Sequence, residues 1–283
     1  MKCFYHSADL DGHCSGAIVK QAFPRCEMIG INYGEAFPWE KIGFLEEVFM
    51  VDFCLQPFAD MERLNRISKL TWIDHHKTSI DQAFEGYFKA SGSQSLVIGE
   101  AGCELTWKFL HPFGLLPKVV YLLGRYDVWK WQGVPNSLNF QYGMREIPDT
   151  SPDNQGLWEA LFENKDRVVD KICDNGMQIV QYEKTQNEKY AKSMAFDVQF
   201  DGVKGIAINK GLTNSTLFDS VYDPEKHHVM VKFAKVGQQW KVGLYSTRSD
   251  VDCSAITKAR GGGGHKGAAG FQCEVLPWEE KYE

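Results

Sequence analysis

The sequence has no apolar stretch that nears the ~18 residues of a membrane-spanning helix. Its opening, Met1-Lys2-Cys3-Phe4-Tyr5-His6, runs into polar and charged residues without an apolar leader core, so a cytoplasmic protein is expected. It also has no C-x-x-C pair. The eight cysteines (Cys3, Cys14, Cys26, Cys54, Cys103, Cys173, Cys253, Cys273) are scattered, which fits reduced, buried thiols better than a disulfide framework or a zinc knuckle. There is no excess of basic charge: 31 Lys+Arg against 37 Asp+Glu give a net charge of -6. That balance argues against clamping long nucleic acid through a broad basic face, because such binding is mostly phosphate neutralisation. A small anionic ligand in a local basic pocket is compatible with it. Internal repeats are absent, and the single low-complexity run is Gly261 to Gly264, which on composition alone reads as a flexible linker.

What is present is enough chain for one large or two smaller domains: 283 residues, 43% of them hydrophobic. In the first 145 residues, short apolar runs alternate with amphipathic segments. Residues 2–5, 47–53 and 69–73 read as strands, and 14–22, 58–67 and 102–110 as helices. That alternation predicts an α/β domain over 1–150 with a mainly parallel sheet flanked by helices. Residues 151–194 carry helical periodicity and read as a helical linker. Residues 195–283 read as a smaller C-terminal α/β domain, with strands over 196–200, 204–208, 228–234 and 240–245 and helices near 215–221 and 253–260.

In a parallel sheet ligands bind at the carboxyl ends of the strands, so acidic residues just past an apolar run are where a site is built. Four such places occur. In His6-Ser7-Ala8-Asp9-Leu10-Asp11-Gly12, the two aspartates share one side of an extended strand end and Gly12 lets the chain turn. Asp52 follows Val48-Phe49-Met50-Val51, where a buried charge is costly unless paired or metal-bound. Asp74-His75-His76 follows Leu70-Thr71-Trp72-Ile73 and offers ligand, orienting and proton-handling groups within one turn. Asp127 follows an apolar, strand-like run through Leu123 and, alone, reads as a cap of the next segment or a partner of Arg125. Singly, each has an ordinary explanation as a turn, cap or surface group. Together they form a ligand set for two divalent cations. Mixed carboxylate and imidazole donors suit Mn²⁺, Mg²⁺ or Fe²⁺, and two ions ~3.5–4 Å apart serve phosphoryl displacement by binding both oxygens and acidifying a water. Trp129 and Trp131, two apart, read as strand residues packed on a core, with stacking on a base as the alternative.

The C-terminal run Arg260-Gly261-Gly262-Gly263-Gly264-His265-Lys266-Gly267-Ala268-Ala269-Gly270-Phe271 carries more than its composition suggests. Glycines let backbone N–H groups approach an anion, and His265 and Lys266 add hydrogen-bonding or cationic groups. The spacing is not that of a Walker A loop or a dinucleotide fold. Upstream, Arg248 in Ser246-Thr247-Arg248-Ser249 offers a bidentate phosphate contact.

With these motifs in order, the chain resembles the DHH/DHHA1 phosphoesterase superfamily along nearly its whole length: Asp9-x-Asp11, then Asp52, then Asp74-His75-His76, then Asp127, then GGGGHKGAAG. The resemblance implies a DHH catalytic domain, a linker and a DHHA1 domain, with the active site in the cleft between the domains. It implies two divalent ions, Mn²⁺ with Mg²⁺ as the alternative. His6, Asp9 and Asp52 hold one, and Asp11, Asp52, His75 and Asp127 the other, Asp52 bridging. Asp74, His75 and His76 are then the catalytic motif, His76 facing the substrate, and Arg248, Ser249, Gly263, Gly264 and His265 grip substrate. The implied activity is hydrolysis of short oligonucleotides, linear or cyclic dinucleotides, or 3'-phosphoadenosine 5'-phosphate, with no membrane or long-duplex partner and with homodimerisation left open. A single-strand 5'-3' exonuclease is the runner-up, disfavoured by the missing basic track. A manganese pyrophosphatase is disfavoured by the glycine-rich signature, and a non-catalytic nucleotide binder by the complete ligand set.

Overall fold

The computed structural model describes residues 1–279 and divides into two compact units, Met1–Val180 and Gln181–Glu283. The first opens with β1 (Lys2–His6), α1 (Leu10–Ala22), β2 (Glu27–Ile31), β3 (Glu46–Val51), α2 (Phe58–Ile67), β4 (Ser68–Asp74), α3 (Lys77–Glu85) and β5 (Ser93–Leu96). Helices follow: α4 (Gly102–Leu110), α5 (Lys118–Asp127), α6 (Ser137–Met144), α7 (Gln155–Glu163) and the 27-residue α8 (Val168–Met194), within which the two units divide. Among the described residues, no helix is long and apolar enough to cross a membrane.

The five strands form one sheet in the order β2-β1-β3-β4-β5, every pair parallel. Its central strands are apolar without alternation because helices cover both faces. Phe4, Met50 and Trp72, aligned across β1, β3 and β4, pack on one face with Met61 and Leu64 of α2. Tyr5, Val51 and Ile73, aligned one row later, face the other side with Val19 of α1 and Leu105 of α4. Each fully buried large side chain of this kind contributes ~1.5–3 kcal/mol. A third cluster joins Leu10, Cys14 and Ile18 of α1 to Val120 and Leu123 of α5, Phe140 of α6, Trp158 of α7 and Val169 of α8.

The register fixes the site. Because Tyr5, Val51 and Ile73 lie side by side, the next residues, His6, Asp52 and Asp74, leave the same edge of the sheet, on strands ~4.8 Å apart. The chain runs from β1 outward to β2 and then returns to place β3 on the other flank of β1. The carboxyl ends of β1 and β3 therefore border the topological switch point, where an open parallel sheet offers a crevice.

The second unit contains β6 (Phe196–Phe200), β7 (Val203–Asn209), β8 (Val229–Val236), β9 (Gln239–Tyr245), α9 (Cys253–Lys258), β10 (Gly263–Gly264) and β11 (Ala268–Cys273). The sheet order is β10-β11-β9-β8-β7-β6, with β7 and β8 parallel and the other pairs antiparallel. Phe233, Val242 and Phe271 stack across three strands on one face, with Cys253 of α9 in the same cluster. Ile206, Ile208 and Met230 cover the other against Ala191, Leu217 and Phe218.

Three expectations are corrected. Asp127 ends a helix, α5, rather than a strand. Trp129 and Trp131 lie on no strand. The Lys130 N–H donates to the Arg125 carbonyl at 2.9 Å, closing the helix over Trp129 in a left-handed conformation (φ 62°), and Trp131–Gly133 is a 3₁₀ turn. The glycine run is no linker, because Gly263 and Gly264 pair with Gly270 and Ala269 as a hairpin. A Cβ at Gly262 would lie 2.1 Å from the Gly270 carbonyl oxygen, so the hairpin's packing demands glycine.

Candidate metal centre

Each proposed ligand reaches the crevice by a different local device. His6 is the last residue of β1. Asp9 is the N-cap of α1: its Oδ1 accepts from the Gly12 N–H at 3.0 Å, while Oδ2 lies 3.1 Å from His6 Nδ1. Capping and ligand geometry thus coexist, one oxygen each. A Cβ at Gly12 would fall 2.0 Å from the His6 carbonyl oxygen, so glycine there lets α1 start this close to β1. Asp11, in the first turn of α1, is buried and accepts from the N–H groups of Gly102 (2.8 Å) and Cys103 (2.9 Å) at the start of α4.

Asp52 is the hub. It is 1% exposed and sits in the left-handed region (φ 54°), a conformation that costs a non-glycine residue of order 1 kcal/mol or more and collects at functional sites. Its Oδ2 lies 3.7 Å from His6 Nδ1, and its Oδ1 lies 3.1 Å from His75 Nε2 and 3.9 Å from His76 Nδ1. His75 Nε2 is also 3.5 Å from Asp11 Oδ2 and 3.3 Å from Asp127 Oδ2. Asp74, wholly buried, accepts at Oδ1 from the N–H groups of His75 (2.8 Å) and His76 (3.2 Å) and pairs with His76 Nδ1 at 2.7 Å. The D-H-H motif is therefore self-bracing: its aspartate fixes the backbone and the second imidazole.

The electrostatics are those of a site short of positive charge. The cationic partners of Asp9, Asp11, Asp52 and Asp127 are the imidazoles of His6, His75 and His76. Burial and the neighbouring Asp52 and Asp127 carboxylates push Asp11 well above the carboxylate range. Burial also raises Asp127, to about 6, with repulsion from Asp52 adding to it and the attraction of His75 opposing it. Burial alone would lower the His6 imidazole, but Asp9 and Asp52 overcome it and raise it to about 11. Burial would raise Asp52, yet its contacts with His6 and His75 hold it below the usual range.

The residues fit divalent cations. Three buried polar atoms that converge here, His6 Nδ1, Asp52 Oδ1 and Asp127 Oδ2, make no hydrogen bond. Buried carboxylates cost several kcal/mol unless opposite charge matches them, and here Asp9, Asp11, Asp52 and Asp127 share three imidazoles, so this is an environment that calls for a cation. His6, Asp9 and Asp52 can each offer one ligand atom within 4.8 Å of the others, as can Asp11, Asp52 and His75, Asp52 belonging to both sets. The closest separations, near 3 Å, are those of adjacent ligands around an octahedral ion with ~2.1 Å bonds.

Arg125, which the sequence offers as a partner for Asp127, pairs instead with buried Glu104. Gly102 is a site residue that the motifs did not identify: a Cβ there would lie 2.7 Å from Asp52 Cβ and Oδ1. The signal available was the pattern Ala101-Gly102-Cys103-Glu104, a helix start with Glu at the third helical position.

In the second unit, Arg248 and Ser249 lie in the loop between β9 and α9, and Gly263, Gly264 and His265 in the β10–β11 hairpin. Backbone bonds from Ser246 N to Gly267 O (3.0 Å) and Cys253 N to Lys266 O (2.8 Å) tie loop and hairpin together. The Arg248 guanidinium is engaged by Asp250, Nε to Oδ1 at 3.0 Å and Nη2 to Oδ2 at 2.6 Å, and donates from Nη1 to the Pro224 carbonyl at 2.6 Å.

No protein-family model matches the chain. An uncharacterized protein of Acanthamoeba polyphaga mimivirus is 26% identical over 255 residues; the match covers 83% of this chain and 56% of that protein, so the chain spans about half the length of its curated relative. Among solved structures, the DHH domain of a protein described as a member of a ribosomal-protein family is similar at a TM-score of 0.55 (13% identity; 95% of this chain, 81% of that one). An exopolyphosphatase-related protein from Bacteroides fragilis gives 0.53 (12%; 97% and 87%). The pGpG-specific phosphodiesterase PggH from Vibrio cholerae gives 0.51 (12%; 97% and 93%). This chain therefore has the DHH-domain fold, and its D-x-D, D, D-H-H and D motifs converge at the carboxyl edge of that fold's parallel sheet.

Proposed function

We propose that the protein is a divalent-cation-dependent phosphoesterase that hydrolyses short nucleotides: di- to tetranucleotides, linear or cyclic dinucleotides, or 3'-phosphoadenosine 5'-phosphate. The observation that carries the reading is the position of Asp52, whose two carboxylate oxygens face two different donor sets, His6 with Asp9 and His75 with Asp11 and Asp127. When bound there, a pair of ions, Mn²⁺ or Mg²⁺, supplies positive charge to phosphoryl oxygens and acidifies a water. The fold is shared with a pGpG-specific phosphodiesterase and an exopolyphosphatase-related protein, which supports phosphate chemistry.

The chain's own residues then divide the work. His6, Asp9, Asp11, Asp52, His75 and Asp127 are the ligands. Hydrolysis joins a water oxygen to phosphorus and breaks the P–O ester bond; the attacking water gives up a proton to solvent, and the departing oxygen gains one. His76 is the donor in this scheme. Asp74 holds it through Nδ1, so Nε2 is the nitrogen that meets the leaving oxygen. In the second unit Arg248, Ser249, Gly263, Gly264 and His265 hold substrate phosphate.

Turnover is measured with a dinucleotide, a cyclic dinucleotide, 3'-phosphoadenosine 5'-phosphate, pyrophosphate and a long single strand, each with Mn²⁺, beside His75→Ala. Cleavage of a short nucleotide that disappears in the variant is the expected result. Preference for the long strand or for pyrophosphate, or activity unchanged in His75→Ala, would overturn the proposal.

A further inference from the structure

We infer that Glu104 is a positioning residue for one half of the centre: it clamps the helix turn that holds Asp11 to the helix turn that ends in Asp127. The inference rests on the two-cation reading above.

Glu104 is 3% exposed, on the first turn of α4. Its Oε2 accepts from the Ala101 N–H at 3.2 Å and from Arg125 Nη2. Ala101 immediately precedes the two residues, Gly102 and Cys103, whose N–H groups hold Asp11. Arg125 stands two residues before Asp127 in the last turn of α5. The contacts close into a ring: Asp11 to the start of α4, Glu104 to Arg125, and Asp127 to His75 Nε2, which lies 3.5 Å from Asp11. His6 and Asp9 stand outside that ring, on β1 and at the cap of α1.

Joining two helices does not require a buried charge, since an apolar pair of similar volume holds them as well or better. What the carboxylate adds is direction, because a guanidinium accepts few orientations. The helices also meet at backbone distance here: a Cβ at Gly124 would lie 2.7 Å from Glu104 Cγ and Cδ. The spacing between α4 and α5 is thus set against the carboxylate itself, and with it the spacing of the donors that converge on His75. Groups that orient metal ligands typically change affinity by 10–100-fold when lost.

The test is a Mn²⁺ titration, by calorimetry and by electron paramagnetic resonance of free ion, of the wild type, Glu104→Gln and Gly124→Ala, the last leaving Glu104 intact. Asp9→Ala identifies the binding step that belongs to the other half. The wild type is expected to bind two ions. Both variants should weaken the step that survives in Asp9→Ala by ~10–100-fold, keeping the other step and a cooperative melt. Unchanged affinities in Glu104→Gln and Gly124→Ala, or equal weakening of both steps, would overturn the clamp. A wild type that binds no Mn²⁺ would instead overturn the two-cation reading, and the inference with it.

Discussion

At the scale of single residues the centre is shaped as much by what is missing from a side chain as by the ligands. Gly102 opens α4 directly against Asp52. Replacing glycine by alanine in a helix ordinarily stabilises by ~1 kcal/mol. Here the new methyl would land 2.7 Å from the Asp52 carboxylate, and overpacking of that kind costs ~1–3 kcal/mol. The steric term exceeds the propensity gain, so Gly102→Ala is expected to lower stability and weaken Mn²⁺ binding at both positions, since Asp52 serves both; thermal melts with and without Mn²⁺ read both effects.

Between elements, Glu46 at the start of β3 ties that strand to β1. Burial would raise its carboxyl, but the Gly43 N–H and the Lys2 ammonium hold it at about 2. A glutamate depressed in the folded state stabilises above its ordinary value near 4.3 and loses that contribution as pH falls through the folded value. Glu46→Gln should therefore be less stable than wild type at pH 7, the difference shrinking between about pH 4.3 and pH 2; denaturant melts across that range check it. In the second unit, Asp250 occupies the Arg248 fork as a phosphate would. If Arg248 binds substrate, Asp250→Asn removes a competitor, and KM should fall several-fold with kcat unchanged, while Arg248→Ala raises KM. A KM that rises in Asp250→Asn would instead mark Asp250 as the group that orients Arg248. The glycine hairpin belongs to this scale too: its composition suggested freedom, whereas pairing with β11 fixes it.

For the whole molecule, every proposed metal ligand lies in the first compact unit. Leu244→Ala, deep in the core of the second unit, should cost ~2–5 kcal/mol and leave the stoichiometry of Mn²⁺ binding unchanged. Melts and Mn²⁺ titrations of that variant test the separation; loss of metal binding would contradict it. The sequence by itself determined the inner strands of the parallel sheet and singled out the candidate ligands, because a strand buried on both faces is a continuous apolar run and a charge just past it stands out. It did not reveal β2 or β5. Ser93-Gln94-Ser95-Leu96 is largely polar because it is an edge strand, and edges bury less. Nor did it reveal that Asp127 arrives on a helix, because an apolar run followed by an aspartate looks the same on either element. What only the tertiary structure decided was proximity: the row Tyr5, Val51, Ile73 that brings His6, Asp52 and Asp74 to one edge, and the approach of α4 that puts Gly102 against Asp52 and Glu104 against Arg125. Register and helix packing are set by contacts between residues distant in the chain, and no local pattern encodes them.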